Sequence, residues 1–406
     1  MTRWLKIVGI GDDGLAGLAP AARALVDQAE VIVGGHRHLA MLSDHGAERL
    51  AWPKPFDTLR HQLETYRDRN VCVLASGDPM CHGVGSLLAE QIGIDEIEIV
   101  PAPSAFSLVC ARLGWSLQST QTVSLHGRPL ELLHPFVQPN LRVLVLSDDA
   151  GTPGRVAALL CQRGFERSRM TVLSHLGNER ETIVRADAQD WDASGQVSDL
   201  NTVAIECRAS PEAERVPRVP GLPDELFEHD GQLTKREIRA TTLSALAPAP
   251  GELLWDIGAG CGSVGIEWMR SAPTCRAIAV EPETKRTELI ARNASALGVP
   301  NLDIVAGRAT PALSGLARPD AIFVGGGVTA AGLFDHCWQS LEFGGRLVAN
   351  VVSVEGEQIL DEWQRKTGGQ LTRIAVSRSE AIGKFRGFKP LMSVTQFAAV
   401  KRATQG

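Results

Sequence analysis

Short runs of valine, leucine and isoleucine alternate with longer stretches of mixed polarity along the first half of the chain. Six such runs predict strands at Lys6–Ile10, Val31–Val33, Val71–Leu74, Ile97–Val100, Val143–Leu146 and Val203–Glu206. The stretches between them have the length and spacing of helices. The pattern therefore predicts βα units and a mostly parallel sheet.

Prolines interrupt this alternation after residue 207. They recur at close spacing from Arg208 to Pro223, where neither a helix nor a central strand can persist. We therefore predict a linker over residues 208–230, an N-terminal domain over 1–207 and a C-terminal domain over 231–406. A chain of 406 residues is long enough for two hydrophobic cores.

A second alternation of the same kind follows the linker. It predicts strands at Leu253–Ile257, Arg276–Val280, Leu302–Val305, Ala321–Val324 and Arg346–Val351. The capping-box spacing of Thr234 and Glu237 predicts a helix over Thr234–Leu246. Leu371–Val376 and Met392–Val400 flank a loop at Ser379–Pro390 and predict a closing antiparallel pair.

Composition narrows the class of protein. With 44% hydrophobic and 22% charged residues the chain is typical of a folded α/β protein. Its net charge of −6 disfavours a nucleic-acid partner, which would need a broad basic surface. The 8 cysteines form no Cys-x-x-Cys pair, so we expect no metal site. No apolar run has the length of a membrane span and the start is unlike a signal peptide, so we expect no membrane partner and a cytoplasmic location.

The strongest chemical signal is a glycine loop in the second half. An apolar strand carries Asp256 near its end, and glycines follow at 258, 260 and 262. Glycines let a backbone turn tightly and approach a ligand closely at this edge of an α/β sheet. Glu281 ends the next strand, where a carboxylate can accept hydrogen bonds from both ribose hydroxyls. Together these features predict a site for S-adenosylmethionine; the triplet alone fits a structural turn equally well, and Glu281 alone a solvated strand end.

The end of the fourth strand indicates the methyl acceptor. Phe323–Val328 contains three consecutive glycines, which make room for a bulky group and offer no clamp for an amine. The pattern favours carbon or oxygen as the acceptor atom.

Several segments of the second half together resemble the decarboxylating precorrin methyltransferases that act at carbon 15 of the corrin precursor. They are Gln232–Ala240, the glycine loop, Ala291–Asn293, Gly307–Leu313 and Pro319–Gly327. The resemblance implies a Rossmann-like class I methyltransferase fold. Where these enzymes usually carry Gly-Asp-Ala, this chain has Gly307-Arg308-Ala309, which points to backbone groups for adenine recognition. The donor-site residues implied in this half are Thr234, Asp256, Gly258, Gly260, Gly262, Glu281, Arg308 and Ala309.

The first half carries weaker signals that gain meaning only in combination. Glycines follow its first strand, but no acid ends the second, and these segments alone favour an ordinary loop. Ser76–Met80, Pro101–Phe106, Ala111–Trp115, Ser124–Arg128 and Ser174–Arg180 together resemble the tetrapyrrole methylase family, in particular the precorrin methyltransferases acting at carbon 5. The resemblance implies a two-lobed α/β fold with the methyl donor in the cleft. The family's usual Gly-x-Gly-Pro-Gly start is altered, because Asp12 and Asp13 precede Gly14. The donor-site residues implied here are Gly9, Gly11, Asp78, Met80, Ser104 and Ala105.

The order of the two modules resembles the family of decarboxylating carbon-5,15 precorrin methyltransferases. This resemblance implies two S-adenosylmethionine sites and methylation of a precorrin-6 type tetrapyrrole at carbons 5 and 15. It also implies loss of the ring-C acetate carboxyl, giving precorrin-8 in cobalamin biosynthesis. The C-terminal family further implies a homo-oligomer.

Candidates for catalysis follow from the chemistry of the substrate. The other carboxylates of the tetrapyrrole need cations, and Arg128, Lys384, Arg386 and Lys389 are our candidates, with His126 as a proton acceptor. A structural histidine and a solvated basic loop are the plain alternatives. Two other functions stay open: a single-site methyltransferase whose N-terminal domain only binds substrate, and an RNA or protein methyltransferase.

Overall fold

The computed structural model describes residues 3–42, 45–192, 197–272 and 274–403. The chain forms two compact units. Unit 1 comprises residues 1–130 and 136–214, and unit 2 comprises residues 131–135 and 215–406.

The first sheet of unit 1 forms from βα repeats. Its elements are β1 (Leu5–Ile10), α1 (Pro20–Asp27), β2 (Val31–Gly34), α2 (His36–Ala40), β3 (Glu48–Ala51), α3 (Leu59–Glu64), β4 (Val71–Ser76), α4 (Val84–Ile92), β5 (Ile97–Val100) and α5 (Ala105–Leu113). The strands lie in the order β3-β2-β4-β1-β5 and all pair in parallel. Because β1 and β4 are central and buried on both faces, they are almost wholly apolar.

The second sheet of unit 1 is mixed. Its elements are β6 (Gln121–Ser124), β7 (Arg142–Leu146), α6 (Thr152–Gln162), β8 (Arg169–Ser174), β9 (Thr182–Asp187) and β10 (Asn201–Glu206). The order is β6-β7-β10-β8-β9, and only β6 and β7 pair in parallel. The prediction of a mostly parallel sheet is therefore right for the first lobe and wrong for the second, where the short connection from β8 to β9 forces an antiparallel pair.

The sequence analysis did not predict four strands of unit 1: β3, β6, β8 and β9. The edge strands β3 and β9 show why, because their side chains are mostly exposed or half-buried and include charged residues. An edge strand needs no hydrophobic run, so the pattern of apolar residues does not reveal it.

Unit 2 is built on one seven-stranded sheet. Its elements are α7 (Arg236–Leu246), β11 (Leu253–Ile257), α8 (Ser263–Ser271), β12 (Arg276–Glu281), α9 (Thr284–Ala296), β13 (Asp303–Ala306), α10 (Ala309–Ala312), β14 (Ala321–Val324), α11 (Leu333–Ser340), β15 (Arg346–Val351), α12 (Val354–Thr367), β16 (Gln370–Ile374), β17 (Ser377–Ile382), β18 (Phe385–Pro390) and β19 (Val394–Val400). The order is β13-β12-β11-β14-β15-β19-β16, with β19 antiparallel to both neighbours. The predicted closing antiparallel pair, β16 with β19, is confirmed.

The predicted loop Ser379–Pro390 is wrong, because these residues belong to a hairpin of β17 and β18 that forms a separate two-stranded sheet. The predicted helix start at Thr234 is also wrong. The helix begins at Arg236, and its N-cap residue Lys235 makes no side-chain capping hydrogen bond. The backbone carbonyl of Thr234 instead accepts a hydrogen bond from the buried Arg239 guanidinium.

Part of the proline-rich segment packs in the core of unit 2 in addition to connecting the two halves of the chain. Val216, Leu222 and Phe227 are buried in the core of unit 2 with side chains of α7 and α8. Glu267 on α8 accepts hydrogen bonds from the backbone amides of Gly221 and Leu222 at 2.6 and 2.9 Å. Prolines exclude helix and central strand here, yet the segment is held by tertiary contacts that its composition does not show.

Within the described ranges no helix is long and apolar enough to span a membrane. The same residues include no group of three or more His, Cys, Asp or Glu side chains arranged to hold a metal ion.

Candidate functional site

The glycine loop of unit 2 connects β11 to α8. Gly258, Gly260 and Gly262 all have positive φ, at 67°, 61° and 82°. A residue with a Cβ is disfavoured in this left-handed region. The run of glycines is thus required by the turn that the backbone makes.

Gly258 also meets a steric limit. A Cβ there would lie 2.6 Å from the Gly326 nitrogen and 2.7 Å from its Cα. The loop after β11 therefore packs directly against the loop after β14. The predicted donor loop and the predicted acceptor loop are adjacent at the carboxyl edge of the sheet, where α/β proteins bind ligands.

Glu281 holds this loop from the end of β12. Its side chain is 2% exposed. Its Oε2 accepts a hydrogen bond from the Gly260 amide at 2.8 Å, and its Oε1 accepts one from the Glu283 amide at 3.2 Å. Each carboxylate oxygen can accept a second hydrogen bond, so the carboxylate can order the loop and still bind a hydroxyl.

Asp256 lies fully buried beneath the loop. Its Oδ2 accepts a hydrogen bond from the Gly265 amide at 2.8 Å, and its Oδ1 has no partner among the described residues. Burial raises the pKa of this carboxyl, the hydrogen bond from Gly265 lowers it in part, and the negative charge of Glu281 adds to the rise, so that the pKa is about 7. Asp256 thus orders the start of α8 from inside the protein.

The remaining predicted residues of unit 2 lie on segments that follow or precede contacts with the loop or with Glu281. The carbonyl oxygen of Gln232 lies 3.3 Å from the place of a Cβ on Gly260, which puts the segment containing Thr234 beside the loop. The Gly307 amide donates to the Glu281 carbonyl, so Arg308 and Ala309 follow the neighbouring strand end. The side chain of Arg308 is exposed.

A buried ion network behind this loop was missed by the sequence analysis. Arg239 is fully buried, and its Nε donates to Glu267 at 2.6 Å. Asp224 lies 3.4 Å from Arg239 and 3.0 Å from Arg378 on β17. The network fixes the segment before α7 against α8 and links it to the base of the hairpin. No local pattern marks it, because its members are far apart in the sequence.

In unit 1 the loops after β1, β4 and β5 meet at one edge of the parallel sheet. A Cβ on Gly9 would lie 2.0 Å from the Gly77 carbonyl oxygen and 2.5 Å from the Ala102 nitrogen. Gly9 has an ordinary φ, so glycine is needed here because no side chain fits and not because of the backbone conformation. The close packing brings the predicted residues Gly9, Gly11, Asp78 and Ser104 into one cluster.

The side chains of this cluster order their own loops. Oδ1 of Asp78 accepts a hydrogen bond from the Met80 amide at 2.9 Å. Ser104 caps α5 by accepting a hydrogen bond from the Ser107 amide at 3.1 Å, and Ala105 is the first residue of that helix. Met80 is half exposed beside them.

Asp12 is a further residue that the sequence analysis did not select. It follows Gly11, and its side chain contacts Arg37 of the first lobe and His175, which follows β8 in the second lobe. The contact spans 163 residues of sequence, so only the fold reveals it.

The predicted catalytic residues are dispersed. His126 is 76% exposed, with its Nδ1 3.6 Å from Asp148. Arg128 lies near His82, whose pKa is lowered by burial and then by the Arg128 charge. In unit 2, Lys384 and Arg386 are exposed on the turn and second strand of the hairpin. Among the described residues neither makes an ion pair, whereas Lys389 pairs with Glu380 at 3.3 Å.

Two family models match the chain. Residues 5–192 match the tetrapyrrole (corrin/porphyrin) methylases, and residues 225–401 match the precorrin methyltransferase domain. The fold and the glycine loops, with these matches, define the class: an enzyme that transfers methyl groups from S-adenosylmethionine.

Relatives identify the family within that class. A precorrin-6Y C(5,15)-methyltransferase [decarboxylating] from Sinorhizobium sp is 47% identical over 98% of this chain and 96% of its own. One of the same name from Mycobacterium tuberculosis is 42% identical over 98% and 99%. A cobalt-precorrin-7 C(5)-methyltransferase from Salmonella typhimurium is 32% identical over 44% of this chain and 88% of its own.

The chain belongs to the precorrin-6Y C(5,15)-methyltransferase (decarboxylating) family. The predicted family, the two-part α/β fold and the enzymatic function, methylation with decarboxylation in cobalamin biosynthesis, are confirmed.

Proposed function

We propose that each unit contains its own S-adenosylmethionine site. In this proposal the domain of residues 1–207 methylates carbon 5, and residues 208–230 connect it to the second domain. Residues 231–406 methylate carbon 15 and release carbon dioxide from the ring-C acetate. The observation that carries the proposal is the same in both units: at the carboxyl ends of parallel strands, a glycine packs so closely on a neighbouring loop that no side chain fits.

In unit 2 the residues present suit a sulfonium nucleoside. Glu281 keeps free lone pairs for the ribose hydroxyls while it holds the Gly260 amide. Gly258, Gly260 and Gly262 leave their backbone open to a ligand, and backbone groups at Arg308 and Ala309 flank the adenine. Asp256 and Thr234 support the loop without direct contact in this proposal.

In unit 1 no strand-end acid holds the donor. Backbone groups at Gly9, Gly11 and Ala105 form the floor of the site, and Asp78, Met80 and Ser104 form its walls. Because Asp78 and Ser104 already bind backbone amides of their own loops, they keep the walls in place before the donor arrives.

The bound donor supplies an electrophilic methyl group on a positively charged sulfur. A nucleophilic carbon that attacks it disperses charge instead of concentrating it, so positioning contributes more than an oxyanion trap. The protein must hold most carboxylates of the precorrin by cations, for which we propose Arg128, Lys384 and Arg386. It must leave the ring-C acetate unpaired, because an arginine on that group would stabilise the carboxylate and slow its loss. His126 stays a candidate proton acceptor.

Product mass tests the division of labour in the full chain. Gly9→Ala should block the site of unit 1, with Gly46→Ala as the control because a Cβ on Gly46 meets nothing within 4 Å. Gly258→Ala should block unit 2, with Gly251→Ala as the control, which has φ 86° and equally open surroundings. Native-like circular dichroism must accompany each variant.

Neither blocked variant alone should give the doubly methylated, decarboxylated product, and a mixture of the two should restore it. If Gly9→Ala alone gives that product at the normal rate, unit 1 is a non-catalytic binding module. Methyl transfer to bulk RNA or to protein by the wild-type chain would instead support the alternative function of an RNA or protein methyltransferase.

A homo-oligomer and a cytoplasmic location stay predictions. Light scattering on the purified chain tests the first; a mass equal to one chain at all concentrations would contradict it.

A further inference from the structure

A cluster of charged and polar side chains joins the two lobes of unit 1 beside the proposed donor loop. Asp12 is at its centre, and its side chain is only 5% exposed. Arg37 donates to its Oδ1 at 3.0 Å, and Nδ1 of His175 lies 2.9 Å from its Oδ2. Arg180 is 3.8 Å from Oδ2, and Asn178 donates to the Asp12 carbonyl. The loop after β1 is therefore fastened to the loop after β8.

The carboxylate favours one tautomer of the imidazole. An ionised Asp12 accepts a hydrogen bond, so the His175 proton belongs on Nδ1 and the lone pair on Nε2. Nε2 has no hydrogen-bond partner among the described residues, and a fifth of the side chain remains exposed (20%). The arrangement leaves a proton acceptor on a partly exposed side chain at the contact between the two lobes.

The backbone at His175 gives independent support. Its φ is +52°, in the left-handed region that glycine enters most readily and that asparagine, aspartate and histidine enter more often than other residues do. A residue with a side chain persists in this region only where the surrounding structure holds it there, and such strain is concentrated at functional sites. A loop that needed only this turn would be more stable with glycine.

His38 and Arg37, the neighbours in this cluster, have roles that differ from that of His175. His38 is buried, and desolvation followed by the Arg37 charge lowers its pKa to about 4, so it stays neutral. Its Nε2 lies 3.0 Å from Ser76 Oγ, and Arg37 also donates to that hydroxyl. Arg37 thus ties Asp12 to the end of β4. Nδ1 of His38 also has no hydrogen-bond partner among the described residues, but that atom is buried, whereas the side chain of His175 is 20% exposed.

We propose that His175, in place of the sequence-predicted His126, is the proton acceptor for methylation by unit 1, with Asp12 as its positioning residue; this rests on the proposed assignment of unit 1 to carbon 5. Carbon 5 forms its bond to the methyl carbon, and the methyl–sulfur bond breaks with its electron pair left on sulfur. The positive charge gained by the macrocycle is then discharged when one of its protons passes to Nε2 of His175. The products are the methylated macrocycle, S-adenosylhomocysteine and a protonated imidazole, which returns its proton to water.

Two substitutions in the full chain separate catalysis from a merely structural link between lobes. In His175→Asn the amide nitrogen takes the place of Nδ1 and keeps the hydrogen bond to Asp12, but Nε2 is lost. In His175→Gln a polar atom is kept near the position of Nε2, but the contact with Asp12 is lost. We expect His175→Asn to lower kcat for carbon-5 methylation by about 100-fold or more, the usual contribution of a general base, with KM and donor binding little changed.

Added imidazole should restore part of the carbon-5 methylation in His175→Gly, which also relieves the left-handed strain. Carbon-15 methylation and carbon dioxide loss should stay normal in all three variants, as judged by product mass. Nitrogen-15 NMR of the histidine rings should show Nδ1 as the protonated nitrogen of His175 in the wild type and a mixture of tautomers in Asp12→Asn.

Normal kcat in His175→Asn would overturn the proposal and leave a structural link only. So would a wild-type His175 with its proton on Nε2. A failure of the assignment of unit 1 to carbon 5 would be visible separately, because Gly9→Ala would then still yield both methyl groups.

Discussion

Both proposed donor loops contain a glycine that leaves no room for a side chain, but only the loop of unit 2 also needs glycine for its backbone conformation. In unit 2, Gly258, Gly260 and Gly262 are needed for a left-handed turn, and the buried Glu281 clamps that turn through the Gly260 amide. In unit 1, Gly9 has an ordinary backbone and is needed because Gly77 and Ala102 fill the space of a side chain. The stability of the unit 2 loop thus depends on the charge of Glu281. The stability of the unit 1 loop depends on packing and on the link through Asp12.

This difference explains why one loop was clear in the sequence and the other was not. A turn clamped by carboxylates places acids at fixed distances from its glycines. A glycine that only leaves space has no such flanking residues, and the loop of unit 1 gained meaning only from the resemblance of scattered segments to a family.

The largest expected effect breaks the turn of unit 2. Gly258→Ala adds a Cβ 2.6 Å from the Gly326 nitrogen and also forces alanine to φ 67°. Left-handed strain alone costs about 1–2 kcal/mol, and the clash adds to it, so donor affinity of unit 2 should fall at least about 100-fold, near 2.7 kcal/mol. Calorimetric titration of the full chain measures this, with Gly251→Ala as control; unchanged affinity would contradict the role of the turn.

Removing only the charge of Glu281 should lower donor affinity less than Gly258→Ala does. Glu281→Gln keeps one oxygen for the Gly260 amide but loses the charge. Hydrogen bonds to charged groups contribute about 1.5–3 kcal/mol, so donor affinity of unit 2 should fall roughly 10- to 100-fold, with unit 1 unchanged. Glu283→Gln, an exposed acid two residues away, is the matched control. Equal titrations for both variants would show that the charge of Glu281 is not used.

The buried Asp256 should make unit 2 less stable as the pH rises. Burial raises the pKa of this carboxyl to about 7 in the folded state, above its value in the unfolded chain. Between about pH 4 and about pH 7 the folded state therefore binds more protons, and its stability falls with rising pH. Since one pKa unit corresponds to about 1.4 kcal/mol, the effect is a few kcal/mol at most.

Hydrogen exchange at β11 measures this effect in the full chain. The opening free energy of wild type minus that of Asp256→Asn should decrease as the pH rises, because asparagine does not titrate. A pH-independent difference would contradict the raised pKa. The same measurement at β1, in unit 1, is the control.

The smallest effect concerns the hairpin. Arg386→Ala should raise KM for the precorrin several-fold and leave kcat and donor binding unchanged, because an exposed ion pair is worth about 0–1 kcal/mol. Lys389→Ala is the comparison, since Lys389 already pairs with Glu380. Equal effects of the two substitutions would show that the hairpin binds the substrate by general charge and not through Arg386.

Local patterns predicted the central strands, the glycine loop and both strand-end acids, because each depends on residues close together in the sequence. Edge strands such as β9 were missed because they need no apolar run. Asp12 with His175, and Arg239 with Glu267, were missed because each pair meets only when distant elements pack. The hairpin of β17 and β18 was missed because its glycines and charges resemble a loop.

The number of donor molecules bound per chain tests the central claim most directly. Equilibrium dialysis of the full chain with labelled S-adenosylmethionine should give two per chain, and one each for Gly9→Ala and Gly258→Ala. A wild-type value of one, or a value that either substitution alone reduces to zero, would contradict independent sites in the two units.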